Sequence, residues 1–283
     1  MSEPSKAVLI TGCSSGIGHA TAQRLARSGW TVYASARRPE TISDLEAAGC
    51  RTLALDVTDE GSMLAAVDSV ERSEGAVGVL INNAGYSQSG AIETVPLDAV
   101  RRQFETNVFG LIRLTQLVLP RMRAQRWGKI VNVGSMGGLL SFPGGGAYHA
   151  TKHALEAVSD ALRFELRGFG IDVVLLEPGL IRTEFGDTAT ASMASIPSSD
   201  DDPYARFNAT VGAVTKGAYD GPMRLLGAGP ERVARVIERA LSRRRPPARI
   251  TITPSAKITI ATRRLLPDRA WDAAMRRQFP APG

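Results

Sequence analysis

Short runs of apolar, β-branched residues alternate along the chain with longer stretches in which apolar residues recur every three or four positions. The first pattern is typical of buried strands and the second of amphipathic helices. The runs predict strands near residues 7–11, 31–35, 51–55, 77–82, 129–134, 171–176 and 249–253. The longer stretches predict helices near residues 16–28, 41–48, 60–72, 98–125, 147–168, 203–218 and 230–242. Strand–helix alternation at this spacing predicts an α/β fold, a doubly wound parallel sheet with helices on both faces.

The regular pattern weakens after the sixth predicted strand. Residues 188–202 are small, polar and weakly periodic, which predicts a mobile loop. This insertion follows the carboxyl end of a strand, where ligands bind in sheets of this type. We therefore expect a lid over residues 180–222. The domain boundary is predicted at residue 254, with a basic helical C-terminal extension over residues 255–283.

Composition excludes several classes of protein. The chain has 283 residues, 43% of them hydrophobic, which is sufficient for one core without disulfides. Two cysteines and three histidines argue against a disulfide scaffold or a metal centre, and no metal site is predicted. No apolar run approaches the ~18 residues that span a bilayer, and no leader pattern precedes the first strand. We therefore predict a cytoplasmic protein.

The net charge of +6 is concentrated in the C-terminal segment. Residues 243–283 contain ten Lys and Arg against two Asp, a net charge of +8, so the rest of the chain carries a net charge of −2. The basic character is therefore local, which argues against a general nucleic-acid-binding surface. No nucleic-acid partner is expected.

A glycine-rich segment joins the first predicted strand to the first predicted helix. Glycines let the backbone turn tightly and approach a pyrophosphate, and the helix N-terminus supplies free N–H groups. This position in the chain indicates a nucleotide-binding loop. Its candidate cofactor-binding residues are Gly12, Ser14, Ser15, Gly16, Ile17 and Gly18.

The end of the second predicted strand indicates which dinucleotide is bound. An acidic residue at this place would bind the ribose 2′-hydroxyl of NAD. Ala36 occupies the place instead, and Arg37 and Arg38 follow it. Because arginine is suited to phosphate recognition, NADP(H) is the predicted cofactor, with NAD(H) as the alternative. A basic turn exposed to solvent would have the same sequence.

Tyr148 and Lys152 are four residues apart on a predicted helix and therefore share one face. A neighbouring cation favours the phenolate and lowers a phenol's pKa from about 10, which makes tyrosine usable as an acid or base near neutral pH. An isolated pair with this spacing is more often an exposed surface feature. Whether Tyr148 and Lys152 form a functional pair therefore depends on the other motifs in the sequence.

That context consists of several motifs in one order. The motifs are TGxxxGxG starting at Thr11, NNAG starting at Asn82, YxxxK starting at Tyr148 and PG starting at Pro178, and the single residues Asn107 and Ser135 lie between them in the family's order. In this combination the chain resembles the short-chain dehydrogenase/reductase family, in the subgroup of about 250 residues, from roughly residue 6 to residue 241. The resemblance implies one Rossmann-type catalytic domain over residues 1–254.

The resemblance also implies residue roles. Ser135, Tyr148 and Lys152 would form a catalytic triad, which Asn107 completes as a tetrad by interrupting its helix to hold a proton-relaying water. Lys152 would also hold the nicotinamide ribose. Tyr148 would donate a proton to a carbonyl oxygen while hydride adds to the carbonyl carbon. Further cofactor-binding positions implied by the family pattern are Asp56, Val57, Asn83, Ala84, Gly85, Pro178, Gly179, Ile181 and Thr183.

The predicted substrate is a small lipophilic ketone, aldehyde or alcohol, because the expected pocket segments are apolar. A weaker resemblance to hydroxysteroid and retinol dehydrogenases agrees with this. The pocket residues are expected to be Met136, Gly137, Gly138, Leu139, Leu140, Phe142, Pro143, Gly144, Leu180, Phe185, Met193, Ile196 and Phe207.

Two other functions have the same nucleotide-binding elements. An epimerase or dehydratase of related fold would normally carry a GxxGxxG loop and a larger C-terminal domain, which this chain lacks. A non-catalytic NADP-binding regulator would typically have lost Tyr148 or Lys152. A homodimer or homotetramer is expected, paired through the long helices at 98–125 and 147–168.

The C-terminal extension has two amphipathic stretches. Ile258, Ala261, Thr262, Leu265 and Leu266 fall on one predicted helical face, and Trp271, Ala274, Met275 and Phe279 continue the pattern after Pro267. Basic amphipathic helices can lie on anionic membranes. We prefer the interpretation that they pack on the lid or on a neighbouring subunit.

Overall fold

A computed structural model gives the fold of the protein, and it describes residues 3–193, 196, 201–221 and 225–282. The strands are β1 (Val8–Ile10), β2 (Val32–Ala36), β3 (Arg51–Ala54), β4 (Val79–Asn82), β5 (Gly128–Val133), β6 (Ile171–Glu177) and β7 (Arg249–Thr251). The first helices are α1 (Gly16–Arg27), α2 (Asp44–Ala47), α3 (Glu60–Glu74), α4 (Leu97–Phe104), α5 (Gly110–Ala124) and α6 (Gly146–Glu165). The remaining helices are α7 (Phe185–Ser192), α8 (Ala205–Asp220), α9 (Pro230–Ser242), α10 (Pro254–Leu265) and α11 (Asp268–Arg276).

The seven strands form one parallel sheet in the order β3-β2-β1-β4-β5-β6-β7. Successive side chains of a strand point to opposite faces, so Val8 and Ile10 pack against α1, α2 and α9, whereas Leu9 packs against α3 and α5. Both faces are therefore covered, as expected for a parallel sheet. The strand order reverses between β1 and β4, which opens a crevice at the strands' carboxyl ends.

The predicted single helix over residues 98–125 is interrupted. Between α4 and α5 the backbone forms a π-helical segment, Glu105–Phe109, centred on Asn107. A π-bulge widens a helix locally and is frequent at functional sites. Helical periodicity continues across the bulge, so the pattern of apolar residues did not locate it.

Two sequence expectations for the C-terminal half are wrong. Residues 188–192 belong to helix α7 rather than to a mobile loop, while 194, 195 and 197–200 lie outside the described residues. In α10, the predicted apolar face is not buried as a whole: Leu266 packs with Ala256 and Ile260 of the opposite side, together with Leu140 and Trp271, whereas Leu265 is 84% exposed. The N-cap contacts of α10 set this rotation, which hydrophobicity alone did not indicate.

No helix within the described part of the chain is long and apolar enough to cross a membrane.

Candidate active site

A cavity of about 1400 Å³ lies at the carboxyl ends of the strands. One half is lined by the loops that follow β1, β2, β3, β4 and β5. The other half is lined by α7, α8, α10 and α11. We call these the strand-end half and the helical half. The cavity is the place where most of the predicted site residues meet.

The glycine-rich loop lines the strand-end half and has the geometry of a pyrophosphate cradle. Gly12 and Gly16 have φ angles of 69° and 58°, which L side chains rarely adopt. A Cβ on Gly12 would lie 2.9 Å from the Ala84 Cα, so the two loops approach as closely as glycine allows. Helix α1 begins at this loop, and its first turn contains no acidic residue. No carboxylate therefore neutralises the partial positive charge of the N–H groups at the helix N-terminus. These features fit a bound dinucleotide.

Gly18 does not line the cavity. A Cβ at this position would clash with the Gly12 carbonyl oxygen and with the Asn83 side chain. Gly18 therefore allows the loop to fold against α1, which is a structural contribution rather than a contact with ligand.

The end of β2 presents one arginine to the cavity. Ala36 is buried at the strand end, and the exposed Arg37 lines the cavity next to it. Arg38 is also exposed but does not line the cavity; it is the N-cap residue of a short 3₁₀ helix. Of the two predicted arginines, the geometry favours Arg37 as a phosphate ligand.

The loop after β3 supplies Asp56 and Val57 to the same half of the cavity. One carboxylate oxygen of Asp56 accepts hydrogen bonds from the Thr58 N–H at 2.9 Å and the Thr58 hydroxyl at 2.7 Å.

The loop after β4 is held by a threonine that the sequence analysis did not single out. The Thr11 hydroxyl accepts hydrogen bonds from the Asn83 N–H at 3.0 Å and the Ala84 N–H at 2.9 Å. The Asn83 amide in turn donates to the Thr11 and Gly12 carbonyls, both at 2.9 Å. The NNAG loop, including Gly85, and the glycine-rich loop thus form one hydrogen-bonded unit that lines the cavity.

Asn107 is buried behind that loop and does not line the cavity. Its amide nitrogen donates to the Tyr86 carbonyl at 2.9 Å and to the Thr151 hydroxyl at 3.1 Å, and its amide oxygen accepts from the Tyr86 N–H at 3.1 Å. The side chain therefore joins the loop after β4 to α6. Its π-helical position is what brings it within reach of both.

Ser135, Tyr148 and Lys152 come together on the cavity wall. Ser135 follows β5, and its hydroxyl accepts a hydrogen bond from the Gly137 N–H at 3.0 Å. Tyr148 and Lys152 lie one turn apart on α6, with the lysine Nζ 5.7 Å from the centre of the tyrosine ring. A hydroxyl donor, a phenol and an ammonium group thus face one space.

Burial changes the protonation of two side chains next to Tyr148. The Lys152 Nζ donates to the Val133 carbonyl at 2.8 Å, and burial lowers the pKa of this lysine to about 8. Burial also lowers the pKa of His149 to about 4, so its ring is neutral near pH 7. Its Nδ1 accepts a hydrogen bond from the Phe142 N–H at 3.3 Å.

The comparisons with known proteins agree with this geometry. Residues 6–194 match the family model described as short chain dehydrogenase. This chain belongs to the short-chain dehydrogenase/reductase family. It is an oxidoreductase that acts on CH–OH or C=O groups, and its seven-stranded sheet with flanking helices confirms the predicted fold class.

Several curated relatives cover nearly the whole of this short-chain dehydrogenase. An uncharacterized oxidoreductase of Bacillus subtilis, YusZ, is 36% identical over 97% of this chain and 98% of its own. The 3-ketodihydrosphingosine reductase of Bacteroides thetaiotaomicron is 35% identical over 95% and 96%. The NADPH-dependent 3-dehydrocapnine reductase of Ornithobacterium rhinotracheale is 34% identical over 93% and 94%.

Solved structures show the same fold. A short-chain dehydrogenase from Streptomyces avermitilis has a TM-score of 0.78 at 35% identity, covering 98% of this chain and 96% of its own. One from Burkholderia phymatum, in complex with NAD, has a TM-score of 0.78 at 27% identity, covering 100% and 99%. A serine dehydrogenase complexed with NADP⁺ has a TM-score of 0.75 at 25% identity, covering 88% and 94%.

The helical half of the cavity in this short-chain dehydrogenase is closed by aromatic contacts. The Phe185 ring, at the start of α7, lies 5.5 Å from the Tyr148 ring, and Phe142 lies 6.0 Å from Trp271 of α11. Of the expected pocket residues, Met136, Gly137, Phe142, Pro143, Gly144, Leu180 and Phe185 line the cavity. Gly138, Leu139, Leu140, Met193, Ile196 and Phe207 do not.

The C-terminal helices contribute lining residues that the sequence analysis did not assign to the pocket. They are Ser255, Ile258, Thr259, Thr262, Leu266, Trp271, Ala274, Met275, Gln278 and Phe279. The amphipathic pattern detected the two helices, and the preferred expectation was that they pack on the lid or on a neighbouring subunit.

The start of α10 also holds the loop after β6, in which Pro178, Gly179, Ile181 and Thr183 line the cavity. The Gly179 N–H donates to the Thr253 hydroxyl at 3.2 Å, and the Leu180 N–H donates to the Ser255 hydroxyl at 3.2 Å. The Thr253 hydroxyl also caps α10 by accepting from the Ala256 N–H at 3.1 Å. These hydrogen bonds therefore hold the C-terminal extension and the loop after β6 together.

Among the described residues, no cluster of three or more His, Cys, Asp or Glu side chains is arranged to hold a metal ion.

Proposed function

We propose that this protein is an NADP(H)-dependent oxidoreductase that interconverts a lipophilic ketone or aldehyde and the corresponding alcohol, with Tyr148 as the acid and base. One observation carries the proposal. The Ser135, Tyr148 and Lys152 side chains lie on one wall of a cavity whose far half is largely apolar. Proton transfer, hydride acceptance and recognition of an apolar substrate can therefore take place in one space.

The proposed roles follow from the chemistry of these side chains. When bound, the nicotinamide supplies the hydride that a carbonyl carbon accepts. Tyr148 donates its phenolic proton to the carbonyl oxygen, on which negative charge develops, and the Ser135 hydroxyl donates a second hydrogen bond to it. In the oxidative direction Tyr148 accepts the proton. The buried Lys152 ammonium stabilises the phenolate that remains after proton donation.

The proposed role of Asn107 is indirect. Its side chain hydrogen bonds hold the Tyr86 backbone and Thr151, one residue before Lys152. These contacts position the loop after β4 relative to the catalytic helix. Asn107 is therefore proposed as a positioning residue, and the water relay implied by the family stays a prediction.

The residues proposed to hold the dinucleotide are those predicted from the sequence that line the cavity. At the pyrophosphate and adenosine they are Gly12, Ser14, Ser15, Gly16, Ile17, Arg37, Asp56, Val57, Asn83, Ala84 and Gly85. At the nicotinamide they are Tyr148, Lys152, Pro178, Gly179, Ile181 and Thr183.

Preference for NADP(H) over NAD(H) is proposed from the end of β2. Ala36 offers no carboxylate for a ribose 2′-hydroxyl, and the adjacent Arg37 offers a guanidinium to a 2′-phosphate. The name of the 34% identical relative, NADPH-dependent 3-dehydrocapnine reductase, supports this. The solved structures with NADP⁺ and with NAD show that the fold accommodates both.

A lipophilic substrate is proposed from the helical half of the cavity. Phe142, Phe185, Leu266, Trp271 and Met275 present apolar surface to it. The names of two relatives, 3-ketodihydrosphingosine reductase and 3-dehydrocapnine reductase, support a ketone as the group that reacts.

The test is NADPH oxidation by purified protein across a panel of steroid, retinoid, quinone and aliphatic carbonyl compounds, with sugars of similar size as polar controls. We expect turnover of at least one lipophilic carbonyl and none of sugars of similar size. Turnover confined to polar substrates, or NADPH binding without turnover anywhere in the panel, would contradict the proposal.

We also propose a homodimer or homotetramer that pairs through α4–α5 and α6. Phe109, beside the π-helical bulge, is 51% exposed, and Phe164, at the end of α6, is 68% exposed. Large exposed aromatic side chains on two adjacent long helices are suited to an interface. A monomer by light scattering at micromolar concentration would contradict this.

A further inference from the structure

The exposed face of α10 combines apolar and basic side chains. Ile258 is 55% exposed and Leu265 is 84% exposed, and Ala261 lies between them on the same face. Lys257 and Arg264 are exposed along one side of this strip. The opposite side of the helix is anchored in the protein by Ala256 and Ile260. We call the five exposed residues the α10 face.

The α10 face borders the opening of the cavity. Ile258 and Thr262 both line the cavity and are both exposed, so they mark a place where the interior meets solvent. Gln278 also lines the cavity and is exposed, and it follows the exposed Arg277 at the end of α11. A surface that contacts the α10 face would therefore lie against the entrance through which an apolar molecule reaches Tyr148.

The charge of this region is predominantly positive. Helix α10 contains no Asp or Glu. Among the described residues, neither Lys257 nor Arg264 takes part in an ion pair, whereas Arg263 is held by Asp268 at 2.6 Å. Residues 243–283 carry a net charge of +8, opposite in sign to the −2 of the rest of the chain. The complementary surface must therefore be anionic and must tolerate exposed leucine and isoleucine.

A second copy of this chain does not meet these requirements. A two-fold contact places the same patch on both sides of the interface. Two copies of the α10 face would bring Lys257 and Arg264 against their own equivalents without an acid in either helix, which is unfavourable. An anionic bilayer offers both negative headgroups and an apolar interior within a few ångströms of each other.

We propose that the α10 face binds the surface of an anionic phospholipid bilayer, with Leu265 inserted among the lipids and the cavity opening directed toward them. A lipophilic substrate then passes from the bilayer to the cavity without crossing water. The delivery of substrate rests on the proposed function, but the contact with lipid does not. The two are tested separately.

The first test is co-sedimentation of the full-length protein with vesicles, without cofactor or substrate. We expect binding to phosphatidylcholine vesicles that contain phosphatidylglycerol, weaker binding at high salt, and little binding to phosphatidylcholine alone. Lys257→Glu/Arg264→Glu should weaken binding by at least about tenfold. The matched control is Arg235→Glu/Arg239→Glu on the exposed side of α9, which changes the charge equally and should bind better than the α10 variant. Equal binding by the two variants, or equal binding to both kinds of vesicle, would overturn the proposal.

The second test reports insertion directly. In Leu265→Trp, the added indole should shift its emission to shorter wavelength with phosphatidylglycerol vesicles, whereas Leu64→Trp on α3, another exposed leucine, should not. No shift at Leu265, or the same shift at both positions, would overturn the proposal. Circular dichroism and NADPH binding confirm that each variant is folded. Vesicle binding without turnover of any carbonyl would refute the proposed function alone, and turnover without vesicle binding would refute the bilayer contact alone.

Discussion

The two halves of the cavity are held together in different ways. The strand-end half is a network of short hydrogen bonds: Thr11, Asn83 and Asn107 join loops that are far apart in sequence. The helical half relies on aromatic and aliphatic packing, such as Phe185 on Tyr148 and Phe142 on Trp271. Directional bonds fix positions to a few tenths of an ångström, whereas apolar packing tolerates exchange of one side chain for another. From this comparison we propose that the first half determines chemistry and cofactor binding and the second half determines substrate choice.

The largest effect is expected at Tyr148, where the two halves meet. Tyr148→Phe keeps the ring and its packing on Phe185 but removes the phenolic hydroxyl and its proton. We therefore expect kcat to fall by about 10²–10⁴-fold while NADPH binding is retained. Single-turnover rates and NADPH fluorescence titration measure the two quantities. A variant that keeps more than half of the wild-type single-turnover rate would remove Tyr148 from the role of acid.

A smaller effect, confined to the cofactor, is expected at the end of β2. A charge-assisted hydrogen bond contributes about 1.5–3 kcal/mol, so Arg37 should give roughly a 10- to 150-fold preference for NADP(H). Arg37→Ala should remove most of this preference, and Ala36→Asp should reverse it by repelling the phosphate. The measurement is kcat/KM with NADPH and with NADH on one substrate.

Arg38→Ala is the matched control for that prediction, because Arg38 is equally exposed but does not line the cavity. It should change the cofactor preference much less than Arg37→Ala. Equal kcat/KM values for the two cofactors in the wild type would show that the turn is only an exposed basic corner.

A still smaller effect is expected in the helical half. Met275→Ala removes apolar lining without replacing a residue of the strand-end half, so KM for a lipophilic carbonyl should rise about tenfold, as expected for loss of a partly buried side chain. The Kd of NADPH should stay the same. Leu64→Ala, an exposed leucine outside the cavity, is the control for nonspecific effects. A matching change in NADPH affinity would mean that the two halves are not separable.

The smallest effect concerns the stability contributed by Lys152. Burial lowers its pKa to about 8 in the folded protein, below the value near 10.4 of an unfolded lysine. Between these values the unfolded state binds more protons, so stability from this group rises with pH. Relative to Lys152→Met, the wild type should gain on the order of 1 kcal/mol per pH unit between about pH 8 and 10, measured by urea unfolding. A difference that is independent of pH would show that Lys152 is not buried as described.

The difference between the strand-end half and the helical half also explains which parts of the site could be predicted from the sequence. The strand-end half was predicted almost entirely, because each loop follows a recognisable strand and needs particular residues, such as glycine at Gly12 or a tyrosine four residues before Lys152. The exceptions are Gly18, Arg38 and Asn107, which do not line the cavity. The neighbours of Gly18 and Arg38 depend on how α1 and the 3₁₀ turn pack, and Asn107 is buried behind the loop after β4.

The helical half could be predicted less completely: α8, α10 and α11 were expected as helices, whereas part of α7 was expected as a loop. Apolar periodicity finds α10, but it does not tell which side meets the protein when Leu265 and Ile260 are equally hydrophobic. Hydrogen bonds from Gly179 and Leu180 to Thr253 and Ser255 set that rotation, and they join segments more than 70 residues apart in the chain. Apolar periodicity also did not show the π-helical turn at Asn107, where the side chain contacts Tyr86 and Thr151, although the family resemblance implied an interrupted helix at this residue.

The most direct test of the central claim is kcat/KM with NADPH for a series of straight-chain ketones of increasing length, measured on the wild-type protein. Because each buried methylene contributes about 0.8 kcal/mol, kcat/KM should rise by up to about fourfold per methylene until the helical half is filled and then level off. A series that is flat or falls with length would contradict the account, since the apolar half of the cavity would then have no part in choosing the substrate.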